Sequence, residues 1–200
     1  MGICYIVGAG ECAALPEIQS SDFVIAADGG YDSLVLQSIK PNLLIGDLDS
    51  IENVPSDVEI LRFEVKKNET DMHLAYLEGV RRGYENFMLF GGTGGRPDHT
   101  FANYSLLYYI SGAGHRAKLV GKDSIAEVII NEKRSFFGKG YFSVFAFGGT
   151  ALGVSIENAA YELWYGDLTP DFPLGVSNRF CDTPATVSVK CGALLVMSEK

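Results

Sequence analysis

Asp47 and Asp49 stand two residues apart in Gly46-Asp47-Leu48-Asp49-Ser50, directly after the apolar run 43–45. If the backbone turns there, both carboxylates can face one ion. Asp71, at the head of the clearest helical stretch, can complete an acidic triad. Magnesium is a hard cation that takes oxygen ligands and often joins carboxylates to substrate phosphates. Further along, Gly91-Gly92-Thr93-Gly94-Gly95-Arg96-Pro97-Asp98 places four glycines in five residues. Backbone that must approach a phosphate needs glycine, because a Cβ would keep the N–H groups from the oxygens. Arg96 adds a planar fork that matches phosphate geometry, and a helix after it adds its positive end. No Lys-Ser or Lys-Thr follows the glycines, so this is not a Walker loop. Taken singly, each segment also reads as a polar turn, a helix-start acid or a flexible loop. Together they converge on phosphate chemistry.

The elements that must position these residues fall into two textures. Up to about residue 116, short apolar runs alternate with helical stretches, the pattern of a parallel sheet with crossover helices. The expected strands cover 3–7, 23–27, 43–45, 59–63 and 87–90. One helix is expected over 71–82, with Thr70 as cap, Asp71 in an acidic first turn, Arg81 and Arg82 in a basic last turn, and Gly83 as stop. A second helix covers roughly 99–111. From Ala117 short β-rich runs follow one another, at 117–120, 125–130, 141–147, 153–156, 186–190 and 194–197. The expected class is therefore α/β: a Rossmann-like parallel-sheet domain over 1–116, then an antiparallel β-sandwich domain over 117–200. Open parallel sheets bind ligands at the carboxyl ends of their strands. Asp28-Gly29-Gly30, Gly46–Ser50, Lys67-Asn68-Glu69-Thr70-Asp71 and Gly91–Asp98 each follow a strand and should share one rim.

Composition narrows the function further. The 200 residues are 47% hydrophobic with a net charge of -9, which suits a folded protein and argues against nucleic acid as a partner. A nucleotide remains compatible if a metal and a few placed cations offset the repulsion. The four cysteines, Cys4, Cys12, Cys181 and Cys191, show no C-x-x-C spacing, so reduced thiols are expected rather than disulfides or zinc. No signal peptide, myristoylation site or membrane-length apolar run is found, and the expected location is cytoplasmic, away from membranes.

Three other functions compete. Gly8-Ala9-Gly10-Glu11-Cys12-Ala13 with Asp28 matches the spacing of a dinucleotide fingerprint, as in an NAD(P)-binding Rossmann oxidoreductase, although Pro16 leaves little room for its helix. Asp47-Leu48-Asp49 has the form of an aspartyl-phosphatase motif, but no later lysine and acidic pair can be assigned. A non-catalytic ligand-binding protein that has kept the nucleotide pocket is the third. His73 and His99 have no Ser or Cys partner and receive no catalytic role.

In order and spacing, Ala27–Gly30, Gly46–Ser50, Lys67–Asp71, Gly91–His99 and Gly175-Val176-Ser177-Asn178 resemble the motifs of the thiamine pyrophosphokinase family. The resemblance implies an α/β catalytic domain followed by a β-sandwich, and a homodimer holding thiamine between one subunit's catalytic domain and its partner's sandwich. It implies attack of the thiamine hydroxyl on the β-phosphorus of ATP, releasing AMP. Carried onto this chain, Asp47, Asp49 and Asp71 bind magnesium. Asp28, Gly29 and Gly30 line the ATP site, with Lys67, Thr70, Gly92, Thr93 and Arg96 nearer the phosphates. Asp98 orients the hydroxyl or serves as base. Tyr161 or the nearby Trp164 provides an aromatic face for thiamine, and Ser177 and Asn178 supply polar contacts. The chain departs from the family at Asn68, where aspartate is usual, and at Arg179, where bacterial members commonly carry glutamate. It also departs at Asn158-Ala159-Ala160, which lacks an expected glycine.

Overall fold

The structure is a computed structural model that describes residues 2–48, 55–63 and 68–200. Asp49, Ser50 and Lys67 lie outside them. Packing divides the chain into two compact units, Met1–Leu106 with His115–Lys122, and Leu107–Gly114 with Asp123–Lys200.

The first unit holds six parallel strands: β1 (Cys4–Val7), β2 (Phe23–Ala27), β3 (Leu43–Gly46), β4 (Glu59–Arg62), β5 (Asn86–Phe90) and β6 (Arg116–Val120), in the order β4-β3-β2-β1-β5-β6. Every residue of β1 and β3 is buried, as expected of parallel strands covered on both faces. The run 117–120, expected to open the sandwich, instead pairs in parallel with β5 as part of β6. The order reverses at β1, whose neighbours are β2 on one side and β5 on the other, and that reversal opens a crevice at the strand ends.

Helix α1 (Gly30–Leu36) follows β2, and no expectation covered it. A Cβ on Gly30 would lie 1.8 Å from the carbonyl oxygen of Val7, so only glycine lets α1 start this close to β1. Helix α2 (Asp71–Arg81) matches its expected span. Thr70 caps it by accepting the His73 N–H at 3.2 Å, and Gly83 leaves it at φ +88°. Its buried face carries Ala75 and Tyr76, with the Tyr76 ring edge-on to Phe87 of β5 at 4.9 Å. Burying a side chain of that size is worth about 1.5–3 kcal/mol. Helix α3 (Pro97–Gly112) begins two residues before its expected start, because Pro97 fits the first helical position, where no N–H is needed.

The second unit is two antiparallel sheets. One has the order β12-β9-β14-β7, from β7 (Ser124–Ile130), β9 (Tyr141–Ala146), β12 (Gly175–Arg179) and β14 (Ala193–Glu199). The other has the order β11-β10-β13-β8, from β8 (Lys133–Phe136), β10 (Ala151–Glu157), β11 (Leu163–Leu168) and β13 (Ala185–Ser188). Their inner faces share one core that includes Phe142 and Val144 from the first sheet and Val154, Ile156 and Val187 from the second. That packing makes a β-sandwich.

Candidate active site

The crevice at the strand ends of the first unit is a cleft of about 410 Å³. Four segments from different elements line it: Gly8-Ala9-Gly10 after β1, Ala27-Asp28 at the end of β2, Thr70-Asp71-Met72 at the start of α2, and a stretch from Gly91 through Asn103. Two helix N-termini, of α2 and α3, therefore meet at one hollow, and both favour negative charge there.

The glycine loops are tied to one another through main chain. Gly10 N–H donates to Gly91 C=O at 2.7 Å and Glu11 N–H to Thr93 C=O at 2.8 Å. The intervening Gly92 C=O accepts from Asn103 Nδ2 of α3 at 2.8 Å. In a trans peptide each carbonyl points opposite to the following N–H. Tying the Gly91 and Thr93 carbonyls to the β1 loop thus turns the N–H groups of Gly92 and Gly94 away from that loop, and tying the Gly92 carbonyl to Asn103 turns the Thr93 N–H away from that side chain. Among the described residues those three N–H groups donate to no main-chain carbonyl. Backbone N–H groups left over from such pairing are donors an anion can use. The close approach demands glycine: Gly91 sits at φ +61°, and a Cβ on it would lie 2.1 Å from Gly8 O.

The expected site residues distribute as follows. Asp28, Thr70, Asp71, Gly92, Thr93 and Arg96 all line the cleft. Asp28 is held at φ +48° by its own N–H donating to Ile45 C=O at 2.7 Å. Asp47 follows β3, the strand beside β2, and is half-buried, but it does not line the cleft. Gly29 caps α1 and Gly30 packs against β1, and neither lines the cleft. Asp98 grips Arg96 with both oxygens, accepting from Nε at 3.1 Å and Nη2 at 2.5 Å. The guanidinium holds the Asp98 carboxyl below the usual carboxylate range, and the carboxylate raises Arg96 in turn. Asp49 and Lys67 fall outside the described residues. Among those described, no group of three His, Cys, Asp or Glu side chains gathers closely enough to hold a metal.

A second hollow, of about 460 Å³, belongs to the sandwich unit and includes Tyr161, Glu162, Leu174, Ser177 and Asn178 in its lining. Asn178 is 3% exposed and its amide is spent on main chain. It accepts Tyr161 N–H at 3.0 Å and donates to Tyr161 C=O at 2.6 Å, which clamps the backbone that carries the aromatic ring. Tyr161 itself is 69% exposed, and Ser177 stands at φ +59°. Trp164 is exposed on β11 and does not line the hollow.

Sequence reasoning left Gly8-Ala9-Gly10 to the dinucleotide reading and gave Asn103 no role. The dinucleotide fingerprint does not form, since no helix lies between β1 and β2 for its glycines to open. The same loop instead braces Gly91–Thr93. The available signal for Asn103 was a lone amide among Phe101, Leu106, Leu107 and Ile110 in an apolar helix.

An open parallel sheet with a glycine-built anion cradle at its switch point defines a nucleotide-handling α/β protein. Residues 15–119 match the model of the thiamin pyrophosphokinase catalytic domain. The thiamine pyrophosphokinase of Bacillus subtilis is 25% identical over 182 residues, covering 86% of this chain and 85% of that protein. Among solved structures, the crystal structure of thiamine pyrophosphokinase from Bacillus subtilis superposes with a TM-score of 0.89 at 23% identity, covering 100% and 99% of the two chains. The yeast enzyme superposes at 0.77 with 16% identity, covering 100% of this chain and 86% of that one. This chain belongs to the thiamin pyrophosphokinase family and is a transferase.

Proposed function

We propose that this chain carries out its family's reaction, pyrophosphoryl transfer from ATP to the thiamine hydroxyl, with the strand-end cleft as its nucleotide site. The observation that supports this is the glycine loop: Gly91 and Thr93 carbonyls tied to the β1 loop, the Gly92 carbonyl tied to Asn103, the N–H groups of 92, 93 and 94 with no main-chain partner among the described residues, and two helix N-termini lining the same cleft. Such a site stabilises the charge of a polyphosphate without rearrangement during transfer. Gly92 and Thr93 hold the phosphates by main chain, with Arg96 and Thr70 beside them; Lys67, outside the described residues, is assigned to the phosphates by the family's pattern alone. Asp28 shapes the nucleotide end, with Gly29 and Gly30 behind it where α1 begins.

Magnesium suits the carboxylates present. Asp28 and Asp71 bring oxygen donors to the cleft and Asp47 follows the adjoining strand, a hard set that matches a hard cation. Asp47, Asp49 and Asp71 would hold the ion, which supplies charge neutralisation for the phosphates. With a net charge of -9, such a cation would offset the repulsion that the chain offers to ATP. Asp98 orients the thiamine hydroxyl by accepting its hydrogen bond. Its lowered proton affinity makes it a weaker base than a free carboxylate.

We assign thiamine to the sandwich hollow of a partner subunit, so that the working form is a homodimer. The support is chemical. Tyr161, Phe172, Leu174 and Val176 leave apolar surface exposed on the second unit, and such surface is normally covered. An aromatic face also attracts a cationic ring. In this reading Tyr161 meets thiamine, Asn178 holds Tyr161 in place, Ser177 makes a polar contact and Trp164 flanks the site. The first unit is the catalytic domain and the second the thiamine-binding one. No helix among the described residues is long and apolar enough to cross a membrane, and we place the enzyme in the cytoplasm.

A mass-spectrometric product assay with ATP, thiamine and magnesium tests the reading. Thiamine diphosphate and AMP in equal amounts are expected. Thiamine monophosphate with ADP would change the reaction to simple phosphoryl transfer, and no thiamine product would overturn the proposal.

A further inference from the structure

We infer that Asn103 is a positioning residue for the polyphosphate of the nucleotide, acting by fixing the orientation of the Gly92–Thr93 peptide. The inference rests on the nucleotide reading of the cleft and goes beyond it by naming what keeps the cradle anion-facing. Of the three carbonyls tied back in the cradle, those of Gly91 and Thr93 are held by main-chain N–H groups of the β1 loop. Any residue types compatible with the loop would supply those two bonds. The middle carbonyl, of Gly92, is held by a side chain, Asn103 Nδ2 at 2.8 Å. Asn103 lies one helical turn beyond His99 on α3, is 6% exposed and lines the cleft.

The geometry around this bond is tight on both sides. A Cβ on Gly92 would lie 3.0 Å from Asn103 Nδ2 and 2.6 Å from Leu119 Cδ1, so glycine at 92 and the amide at 103 fit only as a pair. Asparagine is a mediocre helix former, and a buried amide without a partner is costly. Its place in α3 is offset by the bond to Gly92. If the bond is lost, Gly92, with no Cβ, lets the peptide it begins swing, while β-branched Thr93 opposes a full flip because it would be driven to positive φ. A partial swing already carries the Thr93 N–H off the direction that the Asn103 bond fixes. A polyphosphate would then meet a displaced donor, which weakens the attraction.

Two variants test this, Asn103→Asp and Asn103→Ala, with melting curves to confirm folding and steady-state kinetics on both substrates. Losing one buried hydrogen bond to the phosphate loop should raise the KM for ATP about tenfold. The KM for thiamine should stay near that of the wild type, and kcat should fall less than the KM for ATP rises. The aspartate variant adds a pH signature. The position is 6% exposed, and burial raises a carboxyl well above its ordinary range. An ionised carboxylate cannot donate to Gly92 C=O, whereas a protonated one can, so the variant's ATP defect relative to wild type should shrink as pH is lowered from about 8 to about 6. The alanine variant should show a flat ratio over that range. Should the aspartate variant fail to fold, the alanine variant carries the KM test alone. Unchanged KM for ATP in folded variants, an equal rise for both substrates, or the same flat ratio for both variants would overturn the role. Absence of thiamine diphosphate from the wild type would instead sink the functional reading beneath it.

Discussion

The two hollows are built by opposite means. In the first unit the cleft is built largely on main chain: paired glycine loops, two helix N-termini and carbonyls tied to the β1 loop and to Asn103. In the second unit the hollow is made of side chains standing on irregular strand ends, with Asn178 spent on holding the backbone beneath Tyr161. A main-chain cradle suits an anion that every nucleotide carries, and it tolerates little change, since a Cβ at Gly91 meets Gly8 O at 2.1 Å. A side-chain hollow suits one particular flat ring and can be retuned residue by residue. In the proposed reading, commitment to phosphate resides in the first and choice of acceptor in the second.

The largest expected effect separates charge from scaffold within the cleft. Asp71→Asn should lower kcat/KM on the order of 10²–10³, the scale seen when one preorganised electrostatic contact is removed. It should stay folded, because the carboxylate contributes only about 0.3–1 kcal/mol to its helix terminus. A folded variant with full turnover would remove Asp71 from the magnesium site. A smaller effect tests the other hollow. Tyr161→Ala should raise the KM for thiamine about tenfold while the KM for ATP stays put, and Tyr161→Phe should restore most of the loss, since the ring face does the work. If Tyr161→Ala moves both KM values together, the division of labour between the hollows fails.

The same contrast decides what the sequence made legible. Helix α2 could be read almost to the residue, because Thr70, Asp71 and Gly83 are local signals that act within one turn. The glycine stretch 91–95 and Asp28 were readable as cleft residues for a similar reason: each directly follows a buried, β-branched or aromatic strand. What escaped depends on distant partners. The loop Gly8–Glu11 gains its role through the bonds of Gly10 to Gly91 and of Glu11 to Thr93, more than eighty residues on in the sequence. The missed strands β8, β11 and β12 are short or largely exposed, with burial patterns that carry no apolar alternation. Sheet pairing fixed them where propensity did not. Asp47 follows β3 half-buried and outside the cleft lining, while its neighbour Leu48 is in the core at φ +65° with 6% exposure.

The smallest expected effect contrasts the interiors of the two units through their thiols. Cys4 lies in the all-buried strand β1, and burial pushes its thiol up from the ordinary 9.0 to about 12, with Arg82 opposing the shift only in part. Cys181 and Cys191 of the second unit are exposed. Because the thiolate is the nucleophile, iodoacetamide at mildly alkaline pH should label Cys181 and Cys191 and leave Cys4 untouched until the chain unfolds. The same shift fixes the sign of a stability change. A raised thiol pKa means the unfolded chain loses this proton before the folded one does. The stabilisation is therefore full below about pH 9 and is progressively lost as pH rises toward about 12. Replacing Cys4 by alanine should remove that alkaline component at the cost of a small cavity, and following denaturation midpoints against pH in both proteins measures it. Rapid labelling of Cys4 in the folded protein would show that β1 opens locally, and the main-chain cradle attached to its end could not then be the rigid partner in this comparison.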